Sequence, residues 1–301
     1  MAPSRRVQVE VEGRELSLSN LDKVMYPETG FTKGQVIEYY TRIAPLLLPH
    51  LHDRPLTLKR YPNGVDGGHF YEKQCPTHRP EWVRSEAVMM SSKLINFCIC
   101  DDLPTLVWLA NLADLELHPS LSTVPEVGRP TLMAFDLDPG PGTGLVECCE
   151  VALILREALA RLELECFPKT SGSKGIQVYV PLNTEGVDYD HGTKALAQAL
   201  ARHLEGQHPK LIVSSQKKEL RKSKVLIDWS QNDEHKTTVS VYSLRARERP
   251  TVSTPLAWDE VEAGDPDALV FEAGELLERV EQVGDLFAPV LELEQRLPDL
   301  R

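Results

Sequence analysis

Asp136 and Asp138 stand two residues apart, directly behind the apolar run Leu132-Met133-Ala134-Phe135. On a strand, that spacing sends both carboxylates from the same face. Two carboxylates held rigidly on one face repel unless a cation lies between them, and oxygen-only ligands of this kind suit Mg²⁺ or Mn²⁺. A third carboxylate, Asp228, closes the short apolar run Val225-Leu226-Ile227 and is followed by Trp229-Ser230-Gln231-Asn232. About three carboxylates from separate strands are what a two-metal centre needs to bring a 3′ hydroxyl to an α-phosphate and stabilise the departing pyrophosphate. The bland alternatives are a solvated strand end for Asp136 and Asp138 and a turn residue for Asp228. A HAD-type phosphatase also begins with Asp-x-Asp but needs a threonine two residues on, where this chain has Pro139-Gly140.

Residues that could hold phosphates flank these positions. Thr170-Ser171-Gly172-Ser173-Lys174-Gly175 combines small residues, hydroxyls and one cation, so its backbone N–H groups could approach an anion. It lacks the Gly-Lys-Ser/Thr ending of a Walker A loop, and a plain hairpin turn explains it equally well. Lys217, Lys218, Arg221, Lys222 and Lys224 precede Asp228, and Arg245 and Arg247 follow the next expected strand. A solvated basic surface is the competing reading for this run.

The elements expected to position these groups alternate between the two periodicities. Strands are expected at residues 7–11, 57–61, 115–118, 131–138, 165–169, 176–180, 225–228 and 237–242. Helices are expected behind an N-cap at Thr32 through Val36, Ile37, Tyr40, Ile43 and Leu47, through Leu106, Trp108 and Leu112, and at 145–162 and 193–204. Turns fall at Gly13, at Pro62-Asn63-Gly64 and at Ser171-Gly172-Ser173. Hairpins and helices mixed in this order predict an α+β fold, a mixed or antiparallel sheet flanked by helices, with a peripheral helical segment from Leu256 onward.

The net charge of −12 argues against polyanion binding until its distribution is considered. Residues 259–301 carry thirteen acidic and three basic side chains, which leaves −2 for the first 258 residues. Residues 210–224 hold six basic side chains against Glu219, so a local patch could still bind phosphates. The 22 prolines are scattered and fit a loop-rich globular chain. No signal pattern is seen, and no apolar run approaches the ~18 residues of a membrane span, so a cytoplasmic protein without a membrane partner is expected. For the six cysteines, free thiols or a metal site are expected over disulfides. Cys75, His78, Cys98 and Cys100 could make a zinc site if the intervening chain folds back, though neither pair has Cys-x₂-Cys spacing and buried free thiols are favoured.

Phe135-Asp136-Leu137-Asp138-Pro139-Gly140, Ser171-Gly172-Ser173-Lys174-Gly175 and Ile227-Asp228-Trp229-Ser230-Gln231-Asn232, in that order, resemble the polymerase domain of bacterial ligase D. That domain is part of the archaeo-eukaryotic primase-polymerase superfamily. Asn20 to Val24, Arg60 to Gly64, His69 to Lys73, Glu116-Leu117-His118 and Tyr242 to Arg245 are similar as well, so the resemblance runs from about Leu18 to Trp258. It implies a single primase-polymerase domain over residues 1–301: a subregion with DNA-end contacts at about 1–120, a catalytic core at about 121–258 and an acidic helical segment at 259–301.

The resemblance further implies two Mn²⁺ or Mg²⁺ ions on Asp136, Asp138 and Asp228. Ser171, Ser173, Lys174, Gln177, Arg221, Gln231, Arg245, His118 and Lys59 would bind the incoming NTP or dNTP. Asn20, Lys23 and Lys33 would bind a 5′ phosphate at a gap or broken end, and Phe70 and Tyr71 would stack on a base. Core packing beside a turn is the other reading of those two aromatics. Relatives often carry His where this chain has Gln177, and Phe-Phe where it has Phe70-Tyr71. The implied activity is templated extension of 3′ ends with a preference for ribonucleotides, in non-homologous end joining or gap-filling repair. A DNA ligase and Ku are implied as partners, in a bacterial, nucleoid-associated setting. The sequence shows no ligase or phosphoesterase segment, so a stand-alone polymerase and an excised domain both fit. The alternatives from other classes are a non-catalytic DNA-end-binding module that recruits a ligase, which would have no use for three aspartates, and an Asp-x-Asp glycosyltransferase, which the basic segment disfavours.

Overall fold

A computed structural model describes residues 6–298 and divides the chain into two compact units. Unit 1 takes Met1–Pro119, Val239–Val252 and Glu272–Gly284; unit 2 takes Ser120–Thr238, Ser253–Phe271 and Asp285–Arg301.

Unit 1 begins with the antiparallel hairpin of β1 (Arg6–Val11) and β2 (Arg14–Ser19), turned at Gly13 with φ +75°, and a second pair of β3 (Val24–Tyr26) and β4 (Phe31–Thr32). Helix α1 (Lys33–Leu51) starts where expected: Thr32 accepts from Gln35 N, and Gln35 Oε1 accepts from Thr32 N in return. A five-stranded sheet follows, of β5 (Leu56–Arg60), β6 (Phe70–Glu72), β7 (Ser85–Met90), β8 (Lys93–Cys98) and β9 (Asp114–Pro119), with α2 (Leu103–Asn111) capped by Asp102. β5 pairs along most of its length with β9, with β6 from Leu58 to Arg60, and with β8 at Leu56. No strand is expected from the sequence at β2, β7 or β8: Leu16 and Leu18 alternate with polar residues in β2, whereas β7 and β8 carry no clear apolar alternation.

Unit 2 is built on a mixed sheet in the order β11-β12-β10-β14-β13, antiparallel except where β13 meets β14. Its strands are β10 (Leu132–Pro139), β11 (Phe167–Thr170), β12 (Ile176–Pro181), β13 (Ile212–Val213) and β14 (Val225–Asp228). Helices α3 (Leu145–Ala160) and α4 (Lys194–Gln207) cover one face. Met133, Phe135 and Leu137 of β10 join Ile176, Val178 and Val180 of β12 against Val151, Leu155, Leu196 and Leu200, all buried. Each such side chain contributes roughly 1.5–3 kcal/mol by leaving water. The alternate residues of β10, Asp136 and Asp138, therefore leave the opposite face.

One expectation fails. Residues 237–242 form no strand; Tyr242 has φ +63°, and Ser240 N makes a single ladder-like bond to Leu117 O. The run from 238 to 244 is buried throughout, so its apolar character reports burial and not pleating. The C-terminal segment is three separate helices, α5 (Trp258–Ala263), α6 (Ala273–Val283) and α7 (Pro289–Glu292). α6 buries Ala273, Leu276 and Leu277 and packs on α1 of unit 1, while α5 packs on α3 of unit 2. The acidic side chains Glu275 and Glu278 lie on the exposed side of α6.

Candidate active site

β10 and β14 pair antiparallel with Asp136 opposite Asp228 and Asp138 opposite Leu226. Paired residues share a face, so the three carboxylates converge on the side of the sheet away from α3 and α4. Each is held. Gln177 Nε2 donates to Asp136 Oδ1 at 3.1 Å. Asp228 Oδ1 accepts from Ser230 N at 2.9 Å and Ser230 Oγ at 2.6 Å, and its Oδ2 from Gln231 Nε2 at 2.9 Å. Arg221 Nη2 lies 3.5 Å from Asp138 Oδ2.

Close backbone approach makes this assembly possible. Gly140 N donates to Lys224 O at 2.8 Å, and a Cβ at Gly140 would lie 1.7 Å from Arg221 O. A Cβ at Gly175 would lie 2.2 Å from Leu137 O. Only glycine lets the loops carrying Arg221 and Ser171 press against the aspartate strand. Ser171 spends its own polar atoms on the turn: its N donates to Gly175 O, and its Oγ accepts from Ser173 N and Gly175 N. Lys174 projects exposed from that turn.

At Asp136, burial and like charge outweigh the positive groups nearby. Burial first, then the charges of Asp138 and Asp228, push the Asp136 carboxyl up to about 7, against the opposing pull of Gln177 and Lys169. A divalent cation removes that repulsion, and an all-carboxylate donor set fits Mg²⁺ or Mn²⁺.

Unit 1 holds a second polar centre, organised around a residue the sequence reading did not assign. Glu116 is 1% exposed. Its Oε1 takes Lys59 Nζ at 3.1 Å, Tyr61 OH at 3.2 Å and Ala246 N at 3.1 Å, and its Oε2 meets His118 Nε2 at 3.0 Å and Arg245 Nε at 3.3 Å. Burial pushes this carboxyl up, but the His118 hydrogen bond and the charges of Arg245, His118 and Lys59 outweigh it and hold it well below the usual range. For His118 burial dominates and lowers its pKa in spite of Glu116. Lys59, His118 and Arg245 are thus held in one cluster around Glu116. A hint was present: Glu116 and His118 share one face of a strand whose other residues, Leu115 and Leu117, are apolar.

Phe70 and Tyr71, on β6, are 44% and 59% exposed, which excludes core packing for them. Lys59 Nζ lies 5.5 Å from the Tyr71 ring centroid and the Arg60 guanidinium 5.2 Å from that of Phe70. Lys23 Nζ donates to Pro62 O at 2.5 Å and Lys33 Nζ to Ser19 O at 2.7 Å. Burial, then Lys23 and Arg60, lowers Lys33 to about 8. Asn20 and Lys23 line a concavity of about 700 Å³ with Val7, Leu21 and Asp22. The structure therefore gathers Asp136, Asp138, Asp228, Gln177, Arg221 and Gln231 in unit 2, and Lys59, His118 and Arg245 in unit 1; Asn20, Lys23 and Lys33 form a further basic site in unit 1.

The expected zinc ligands do not assemble. Cys75 and Cys98 form a disulfide with Cα atoms 4.9 Å apart, which corrects the preference for free thiols at these two positions. Cys98 ends β8, and the bond from Cys75 N to Asn96 O of that strand brings the two residues together. Cys100, Cys148, Cys149 and Cys166 are buried free thiols. Among the described residues, one group of three, His52, Asp53 and Asp101, has ligand atoms all within 4.8 Å of one another, and Arg84 already pairs with both of its carboxylates; the oxygens of Asp136, Asp138 and Asp228 are spread more widely than that. No helix among the described residues is long and apolar enough to cross a membrane.

The family model of the LigD primase-polymerase domain matches residues 32–287. The chain belongs to the LigD primase-polymerase domain family. Membership makes it a polymerase domain of the nucleotidyl-transferring type. The multifunctional non-homologous end joining protein LigD of Mycolicibacterium smegmatis is 41% identical over 280 residues, covering 91% of this chain and 36% of that protein. The bifunctional LigD of Bacillus subtilis is 32% identical over 270 residues, covering 90% of this chain and 43% of its own. The chain thus spans about a third of the length of the mycobacterial relatives it matches. Among solved structures, the polymerase domain of Mycobacterium tuberculosis ligase D in complex with DNA superposes with a TM-score of 0.87 at 40% identity, over 93% of this chain and 99% of that one.

Proposed function

We propose that the chain acts as one template-directed primase-polymerase domain, extending 3′ ends at gaps or breaks that carry a 5′ phosphate and preferring ribonucleotides. The observation that carries this reading is the register of β10 and β14, which sets Asp136 opposite Asp228 with Asp138 on the same face. These three would hold two Mn²⁺ or Mg²⁺ ions. Divalent cations bound there supply charge neutralisation at the attacking 3′ oxygen and the leaving pyrophosphate.

The chain's own residues do the rest. Gln177 and Gln231 hold the carboxylates in place. In unit 2, Ser171, Ser173, Lys174, Gln177, Arg221 and Gln231 would bind the nucleotide; in unit 1 the residues proposed for nucleotide binding are Lys59, His118 and Arg245. Arg221 Nε, buried without a hydrogen-bond partner, supports a role in meeting an anion. Asn20, Lys23 and Lys33 would take the 5′ phosphate, and exposed Phe70 and Tyr71 would stack on a base, at ~1–3 kcal/mol per base. DNA is named with the solved M. tuberculosis relative and end joining with the curated ones. For this chain they are proposals, as are gap-filling repair, a DNA ligase and Ku.

The test is extension of a labelled primer on gapped DNA with a 5′ phosphate, with Mn²⁺ and either ribo- or deoxynucleotides. Templated addition that Asp136→Ala abolishes supports the polymerase and its metal centre. Gap binding with no addition under any metal leaves a non-catalytic end-binding module instead.

A further inference from the structure

The register of unit 2 places four polar residues side by side across its sheet. Lys169 of β11 pairs with Gln177 of β12, Gln177 with Asp136 of β10, and Asp136 with Asp228 of β14. The row reads cation, amide, carboxylate, carboxylate on one face.

Lys169 is 0% exposed. Its Nζ donates to Gln177 Oε1 at 2.5 Å and to Ser253 Oγ at 2.6 Å, and lies 5.4 Å from the Tyr179 ring centroid. Gln177 in turn directs Nε2 to Asp136 Oδ1 at 3.1 Å. A glutamine amide can turn over about its last bond with little change of shape. Beside a carboxylate the two orientations are not equivalent, because one offers N–H and the other offers a second oxygen. A lysine ammonium has only donors, so it keeps the amide oxygen on its own side and the N–H on the side of Asp136. Burying a lysine is costly unless its donors are satisfied, and packing against Tyr179 needs no charge. The burial is thus accounted for by what the ammonium orders.

We propose that Lys169 is a positioning residue of the carboxylate centre: through the Gln177 amide it fixes the orientation in which Asp136 presents its free lone pairs to a divalent cation. The proposal rests on Asp136 being a metal ligand. Partners that orient a metal-binding carboxylate change metal affinity about 10–100-fold when removed.

The test measures Mn²⁺ binding to the full chain without DNA or nucleotide, from the electron paramagnetic resonance signal of the free aqueous ion. Lys169→Met and Gln177→Leu should each weaken binding about tenfold. The double variant should be no weaker than the weaker single, because both act through one path. Ser253→Ala, which takes away another partner of the lysine but leaves Gln177, should keep the native affinity. Additive losses in the double variant, a comparable loss in Ser253→Ala, or native affinity in a folded single variant would overturn the proposal. Should Lys169→Met fail to fold, Gln177→Leu and Ser253→Ala carry the comparison between them. Asp136→Ala separates the two levels: unchanged Mn²⁺ binding there removes the metal-centre reading itself. Binding lost in Asp136→Ala but kept in Lys169→Met and Gln177→Leu removes only the role of the row.

Discussion

Asp136 in unit 2, half-buried, and Glu116 in unit 1, fully buried, each sit on a strand two residues from another ionisable side chain on the same face. Burial raises the pKa of both. Around Asp136 the charges that weigh most are Asp138 and Asp228, opposed by Lys169, and the carboxyl stays high, at about 7. Around Glu116 they are Lys59, His118 and Arg245, and the carboxyl is driven well below its usual range. Desolvation makes a charge expensive in either place, and the sign of the neighbours decides whether the site is complete or waits for a cation. A carboxylate that folding has already neutralised is structural, whereas one that folding leaves opposed by its own kind is a place to bind something.

The largest expected effect lies on the activity side of this contrast. Asp136→Ala should lower single-turnover primer extension by about a thousandfold or more, the several kcal/mol that metal neutralisation of developing charge supplies. Glu116→Ala should have its main effect on stability, costing about 3 kcal/mol in urea unfolding at pH 7, since it leaves buried cations without their partner. A stabilised Glu116→Ala would break the comparison.

Asp136→Asn sharpens it with the opposite sign. The folded pKa of Asp136 is raised from 3.8 to about 7, so the metal-free native state binds more protons between those values and loses stability as pH rises through them. The asparagine variant should therefore be more stable than the native chain at pH 8 by on the order of 2 kcal/mol, and no more stable at pH 4. Glu116 runs the other way: its folded pKa lies below the ordinary value, so its contribution is full above about pH 4.5 and fades as pH falls. The smallest effect belongs to Lys33, whose folded pKa is lowered to about 8 from 10.5. The unfolded chain binds the extra proton in that window, so stability should rise by about 1 kcal/mol from pH 8 to 10, and Lys33→Met should remove that rise in a melting series.

The Asp136 side of this pair was legible in the sequence, and the Glu116 side was not. Asp136 and Asp138 alternate with Phe135 and Leu137 within eight residues, so strand, buried face and carboxylate face are all visible locally. Helix α1 announces itself through Thr32 and Gln35 in the same way. Glu116 acquires its meaning from Lys59, 57 positions earlier, and from Ala246, 130 positions later. No local period encodes such meetings. The Cys75–Cys98 bond was missed for a related reason: it depends on Cys75 docking against β8, a strand without clear apolar alternation, and the redox argument weighed the other way. Residues 237–242 mislead in the opposite sense, since an apolar run looks the same whether it pairs as a strand or is simply buried.

The path of the chain through its two units has a consequence for how the molecule is made. Unit 1 is not contiguous: after Pro119 it waits for Val239–Val252, which brings Arg245, and for Glu272–Gly284, which brings α6 to α1. At ribosomal speeds the wait from the first of these boundaries to the last is roughly 10–30 s. Over that interval Glu116 has Lys59 and His118 but no arginine, and α1 has an uncovered apolar stripe. Neither unit is therefore complete on a nascent chain until its late segments emerge, with unit 2 the last to be closed, and a fragment stopped at residue 238 would hold Asp136, Asp138 and Asp228 while leaving both units unfinished.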